Sequence, residues 1–282
     1  MMNSAELTLD EHEFPAAEHD APAPRAARKG TLSISVLTLA AVLFIWWAVT
    51  TSGLIAPLFL PPPQAVLAKL WLTSTKGYMD ATLWQHLGAS ALRIVLALAA
   101  AVLFAVPVGI AIGLSRRARG VLDPLIEFYR PIPPLAYLPL IVIWFGIGEL
   151  SKVLLIYLAI FAPIAIATAT GVRGVDNARV RAALSLGASR WQLIRHVILP
   201  SALPDILTGV RIGLGTGWST LVAAELIAAQ RGLGFMVQSA AQFLVTDIVV
   251  LGIIVIAVIA FALELGLRTL QRKLVPWQGH TH

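Results

Sequence analysis

Cysteine is absent from this 282-residue sequence, and charged residues make up only 13% of it. Without a thiol there can be no disulfide, no thiolate metal site and no thiol nucleophile, although the absence says nothing about compartment. Soluble domains carry about a quarter of their residues as Asp, Glu, Lys and Arg, so this low charge content argues against an ordinary soluble fold. Enzyme signatures are missing as well. No G-x-x-x-x-G-K-[ST] phosphate loop occurs, nor H-E-x-x-H, nor G-x-S-x-G, which removes the familiar means of binding ATP or cleaving an ester. Gly213, Gly215 and Gly217 imitate a nucleotide turn in spacing alone, since they lie inside an apolar run with no strand before them. His196 has no nucleophile beside it, and His280 and His282 close a tail that reads as frayed rather than metal-binding. No catalytic residue, metal site or resident cofactor is expected.

What the sequence has in excess is apolar: 58% of residues, gathered into long blocks. A helix of about 20 such residues crosses the hydrocarbon core of a bilayer. Six blocks reach or approach that length, at residues 32–50, 89–114, 132–147, 153–170, 206–229 and 248–265. Pro131, Pro133, Pro134 and Pro139 crowd the start of the third. Proline removes donors and bends helices, and a broken entry survives at membrane depth only where protein buries it. The expected fold is an all-α integral membrane protein with six transmembrane helices.

The formal charge of +6 could suggest nucleic acid, but the basic residues segregate. Arg25, Arg28 and Lys29 precede the first block; Arg116, Arg117, Arg119 and Arg130 follow the second; Arg173 to Arg195 separate the fourth from the fifth; Arg268, Arg272 and Lys273 follow the sixth. The opposite side holds only Lys69, Lys76, Lys152 and Arg231. The positive-inside rule accounts for this pattern with membrane lipid and no nucleic acid as partner, and places both termini in the cytoplasm.

Residues 1–30 mix acids with Ala and Pro and read as a disordered cytoplasmic tail, followed by an uncleaved first helix rather than a signal peptide. Residues 31–81 hold that helix and an extracytoplasmic segment, with a short helix from about Gln64 to Leu72 behind Pro61, Pro62 and Pro63. Residues 82–275 form the transmembrane core, and 276–282 a C-terminal tail. Within 232–247, Leu233, Met236, Val237, Ala240 and Leu244 have helical spacing, which predicts an amphipathic helix on the outer side.

The segment 171–204, between the fourth and fifth blocks, is the most informative. Asp176 or Asn177 can cap a helix that runs through Arg179, Arg181, Ala182 and Ala183. Leu186 precedes Gly187, which stands where a helix ends on a left-handed residue. After Ala188, Ser189 and Gln192 form an S-x-x-Q capping box that starts a second helix through Arg190. Pro200 closes it, and Ser201 can cap the fifth span. Small residues at a bend rimmed by arginines suit insertion into a groove on another protein; a basic loop that only fixes topology fits equally well.

The same segment resembles the signature loop of binding-protein-dependent ABC importer permeases, E-A-A-x3-G-x9-I-x-L-P. Ala182, Ala183, Gly187, Leu199 and Pro200 match in register, while Arg181 replaces the Glu and Val197 the Ile. Beyond the loop, Phe59–Pro63, Tyr78–His86, Tyr129–Leu135, Ile143–Gly148 and Gly217–Leu226 are similar to the taurine, alkanesulfonate and nitrate permeases of that family. The resemblance implies a type I importer permease fold in a bacterial inner membrane. It implies a coupling helix over Arg181, Ala182, Ala183, Leu186, Gly187, Ala188, Ser189 and Arg190. As partners it implies two ATPase subunits that hold ATP and Mg, a second copy of the permease, and an extracytoplasmic binding protein. Taurine is the expected cargo. An ATP-independent secondary transporter would need ion-coupling residues, often in repeated halves; no repeat is visible.

In the fifth block, Arg211, Trp218 and Glu225 recur every seven residues and share a helix face. Gly209, Gly213 and Gly217 form a second stripe suited to close helix packing. Arg211, Trp218, Ser219, Thr220 and Glu225 are candidates to line a translocation pathway, with Arg211 snorkelling and Glu225 at the far interface as the alternative. Arg93 and Glu264 read as structural. A sulfonate is always anionic, so hydroxyls and N–H groups would conduct it where a tight cationic site would trap it.

Overall fold

The computed structural model describes residues 27–276. Most of the expected tail, and His280 and His282, lie outside these. Contacts divide the chain after Ala48. Taken by itself, α1 (Ala27–Thr51) is an apolar helix of 25 residues, starting three residues before the expected tail ends.

In the second unit the prolines at 61–63 lead into α2 (Pro63–Thr75). Pro63 stands at the first helical position, where a missing N–H costs nothing. The next helix, α3 (Leu83–Leu114), starts six residues before the expected span. Its start is fixed by a capping box: Gln85 N donates to Thr82 Oγ1 at 3.3 Å and Thr82 N to Gln85 Oε1 at 2.8 Å.

Three helices make the heart of the bundle: α3, then α6 (Glu149–Arg173) and α9 (Leu199–Ala228), labelled in chain order with those described below. Gly109 of α3 meets Ala165 and Thr168 of α6, and Gly113 meets Ala169 and Val172, so the two run parallel. In α9 the order reverses: Gly209 meets Ala167, Gly213 meets Ile160 and Ile164, and Gly217 meets Ile160, so α6 and α9 are antiparallel. A Cβ at Gly209 would fall 2.5 Å from Ala167 Cβ, and one at Gly217 2.5 Å from Ile160 Cδ1. Inside lipid, where apolar burial gives helices no reason to associate, this close approach supplies the packing energy. The glycine stripe read from the sequence is the α6-facing surface of α9.

The third expected span is corrected. Residues 116–145 form α4 (Arg116–Tyr129), a 3-10 turn at Pro134–Ala136, and α5 (Leu138–Phe145). At 8 residues, α5 is only about 12 Å long. Pro131, Pro133 and Pro134 prevent one continuous helix, and Gly146, at φ +79°, ends α5. Because α3 and α6 start at the same end, this broken segment carries the chain back across the bundle. Among the described residues, five helices rather than six are long and apolar enough to cross a membrane.

Past α6 come α7 (Asn177–Ser185) and α8 (Arg190–Leu193). Pro200 does not end a helix as expected. A π turn over Ile194–Ile198, with Leu199 N donating to Ile194 O, joins α8 to α9 without a break. The wider turn absorbs the donor that Pro200 lacks. Beyond α9, α10 (Leu233–Gln242) buries Leu233, Met236 and Ala240, matching the expected amphipathic helix. The last helix, α11 (Thr246–Leu274), is held to α2 by Lys69 and Asp247 at 3.4 Å.

Candidate functional site

Three places hold the sequence-predicted residues. At one end of the bundle α7 and α8 project as a helix–turn–helix. Asp176 Oδ1 accepts from Ala178 N at 2.8 Å, so Asp176 is the cap. At the other end of α7, Ala188 N donates to Ala183 O at 3.1 Å and Gly187 N to Leu184 O at 2.9 Å. With Gly187 at φ +80°, this is a Schellman motif. Two residues later the expected box closes, Ser189 N donating to Gln192 Oε1 at 2.8 Å and Gln192 N to Ser189 Oγ at 3.3 Å. The bend is therefore rigid, and its apolar residues face outward: Leu186 is 89% exposed and Trp191 67%. Arg179, Arg181, Arg190 and Arg195 are exposed around them. Ala183 and Ala188 are half-buried at the bend.

At the opposite end of α9 lies a buried ionic cluster. Glu225 is fully enclosed. Its Oε1 accepts from Arg93 Nη1 at 2.6 Å and Ser90 Oγ at 2.7 Å, and its Oε2 accepts from Gly234 N at 2.8 Å. Arg93 also grips Glu149 in a two-pronged pair, Nε to Oε2 at 2.6 Å and Nη2 to Oε1 at 2.8 Å. Lys152 Nζ completes the set at 2.9 Å from Glu149 Oε1. Two cations balance two carboxylates, with Arg93, Lys152 and Glu225 buried and Glu149 63% exposed, so the set runs from the interior to the surface. The backbone joins in: Arg231 O accepts from Arg93, Leu233 N donates to Ser90 Oγ, and Gly232 N donates to His86 Nδ1. That last bond leaves His86 Nε2 as the donor to Tyr78 O at 3.0 Å. The lack of a side chain at Gly232 is required here, because a Cβ would collide with the Glu225 carboxylate. The cluster ties α3, α6, α9 and the start of α10 together.

The expected seven-residue stripe on α9 therefore does not form one surface. Glu225 turns into the cluster, apart from the cavities that Trp218, Ser219 and Thr220 line. Arg211 Nε donates to Glu264 Oε1 at 2.6 Å, and Arg268 reaches the same oxygen at 2.8 Å. Trp218 is 8% exposed, its Nε1 has no acceptor among the described residues, and it lines a pocket of about 280 Å³ against α11.

Ser219 and Thr220 line something larger. A cavity of about 570 Å³ opens between α6, α9 and the broken segment. Its wall includes Tyr129, Arg130, Tyr137, Thr216, Ser219 and Thr220 beside apolar Leu158, Ala159 and Ile212. Sequence reasoning placed Arg130 with the basic residues at the cytoplasmic ends. The structure instead sets it against the middle of α6 and α9. The proline run after it, already visible in the sequence, keeps residues 130–137 out of a continuous α-helix. Among the described residues no group of three or more histidines and carboxylates is arranged to hold a metal.

Residues 105–276 match the family described as binding-protein-dependent transport system inner membrane component. The chain is 69% identical over 254 residues, 90% of this chain and 92% of the other, to the taurine transport system permease protein TauC of Escherichia coli K12. Identity is 36% to the putative aliphatic sulfonates transport permease protein SsuC of the same organism, over 86% of this chain and 90% of that one. In fold, a chain of the MetNI methionine ABC transporter in inward-facing conformations superposes with a TM-score of 0.56 at 17% identity, covering 73% of this chain and 98% of that one. A multi-pass helical bundle, an exposed apolar bend on a rigid helix pair and a family match over most of the core lead to one conclusion: the chain belongs to the inner membrane components of binding-protein-dependent transport systems.

Proposed function

We propose that this chain is the permease subunit of an ATP-driven importer of taurine (2-aminoethanesulfonate). The observation that carries the substrate is the 69% identity to the E. coli taurine permease over 90% of the chain. Two copies of the permease form a closed twofold pair, with both termini and the α7–α8 bend in the cytoplasm. Two ATPase subunits, which hold ATP and Mg, receive Leu186 and Trp191 of each bend, and the basic rim around Arg181 and Arg190 orients the contact. A taurine-loaded binding protein docks on the far side, near α2 and α10. ATP binding closes the ATPases and turns the pathway outward; hydrolysis resets it. Ser219 and Thr220 face that pathway, while Glu225 braces the outer end and Arg211 is held by Glu264.

The test is uptake into proteoliposomes containing the permease and its ATPase, with binding protein and ATP on opposite sides. Taurine uptake that needs both is the expected result. An alkanesulfonate transported in place of taurine would keep the architecture and change the cargo. Transport driven by an ion gradient with no ATPase present would overturn the reading.

A further inference from the structure

Among the described residues Arg130 has no carboxylate partner, unlike three cations on the long helices. Arg93 and Lys152 pair with Glu149, Arg93 also with Glu225, and Arg211 with Glu264. Arg130 makes no such pair, yet it lines the same cavity as Leu158 and Thr216, residues near the midpoints of α6 and α9. An uncompensated guanidinium at that depth cannot face lipid, so it faces water or a ligand.

The other polar groups in the cavity divide by what they still offer. Thr216 Oγ1 donates to Gly213 O at 2.9 Å, Ser219 Oγ to Gly215 O at 3.3 Å, and Thr220 Oγ1 to Thr216 O at 2.9 Å. Their protons are engaged on helix carbonyls, and their lone pairs remain free to accept. The guanidinium of Arg130 and the hydroxyl of Tyr137, by contrast, have donors to spare. One part of the wall donates and the other accepts.

Resting on taurine as the cargo, we propose that this cavity is a transit site for a zwitterionic aminosulfonate. Arg130 and Tyr137 receive the sulfonate, and the hydroxyls of Thr216, Ser219 and Thr220 receive the ammonium. A permanent anion with an ammonium two carbons away complements this split wall; an alkanesulfonate would leave the acceptor half unused. The cavity volume of about 570 Å³ keeps a single guanidinium hydrated, so the site holds its ligand weakly enough to release it.

The test uses the permease–ATPase complex in proteoliposomes with taurine-loaded binding protein, and reads taurine delivered per ATP hydrolysed. Arg130→Gln is expected to lower that ratio about tenfold, the worth of one charge-assisted hydrogen bond, and Arg130→Lys to recover part of it. Tyr137→Phe removes one donor without touching the charge and is expected to lower the ratio about threefold. An unchanged ratio in Arg130→Gln overturns the proposal. If that variant fails to assemble, the proposal falls when Tyr137→Phe leaves the ratio unchanged and stands when it lowers it. Should the wild type carry an alkanesulfonate and no taurine, the functional reading fails by itself. The same variants then report on the sulfonate half, and the ammonium half is withdrawn.

Discussion

Arg93 Nη1 lies 2.6 Å from Glu225 Oε1, with both side chains closed to solvent and a sequence separation of 132. Together with Glu149 and Lys152 they form a cluster of zero net charge. Removing one partner from a buried pair leaves the other unpaired, at a cost of about 3–5 kcal/mol. Glu225→Gln should therefore lower the thermal unfolding temperature of the detergent-purified permease markedly. The double variant Arg93→Met with Glu225→Met should be less damaged than the two single losses predict. Additive losses would show that the two side chains are not coupled.

Substitution at Gly209 tests the α6–α9 packing. A Cβ there would lie 2.5 Å from Ala167 Cβ, so Gly209→Leu must separate the helices, with overpacking costs of about 1–3 kcal/mol or more. Gly215 has open space around its Cβ position, and Gly215→Ala should be tolerated. Yield of folded protein from membranes, compared by size-exclusion profile, separates the two; equal profiles would contradict the packing.

Gly187 has room for a side chain but not the backbone for one: nothing lies within 4 Å of its Cβ position, and its φ is +80°. A β-branched residue is an outlier there, whereas asparagine tolerates the left-handed region. Gly187→Val should unwind the bend and reduce recovery of the ATPase in pull-down, while Gly187→Asn keeps most of it and both insert normally. Equal recovery would remove the bend from the docking surface.

The apolar tip itself is tested by Leu186→Asp and Trp191→Ala. Both side chains are largely exposed, so neither change should alter the stability of the isolated permease by more than about 0.5 kcal/mol. Recovery of the ATPase should nevertheless fall, because exposed apolar residues that cost nothing to lose from the fold are the ones a partner covers. Unchanged recovery would place the contact elsewhere.

Much of the fold is legible in the sequence because membrane helices announce themselves by composition, and α7, Gly187 and the Ser189 box follow from local capping rules. The misreadings share a cause in the chemistry of proline. At Pro131–Pro134 it broke a span that hydropathy alone would complete; at Pro200 a π turn carried the helix past a residue that normally stops one. Thr82 and Gln85 were a readable capping box of the same kind as Ser189 and Gln192, and they place the start of α3. Glu225 could be singled out as a costly intramembrane acid, but its partners could not. Arg93, Glu149 and Gly234 come from three other segments, and only the parallel pairing of α3 with α6 brings them to one level.

The continuous helix from α8 through α9 has a mechanical consequence. Arg190–Ile227 is 38 residues, a rod of roughly 57 Å, with Trp191 near one tip and Glu225 near the other. Its irregular joints are the π turn at 194–198 and Pro204 inside α9, both toward the Trp191 end. Beyond Pro204 no further proline interrupts the shaft. A torque applied at Trp191 is spent either in bending these joints or in swinging the whole shaft, and in the second case Arg93, Glu149 and the turn before α10 must travel with its far tip.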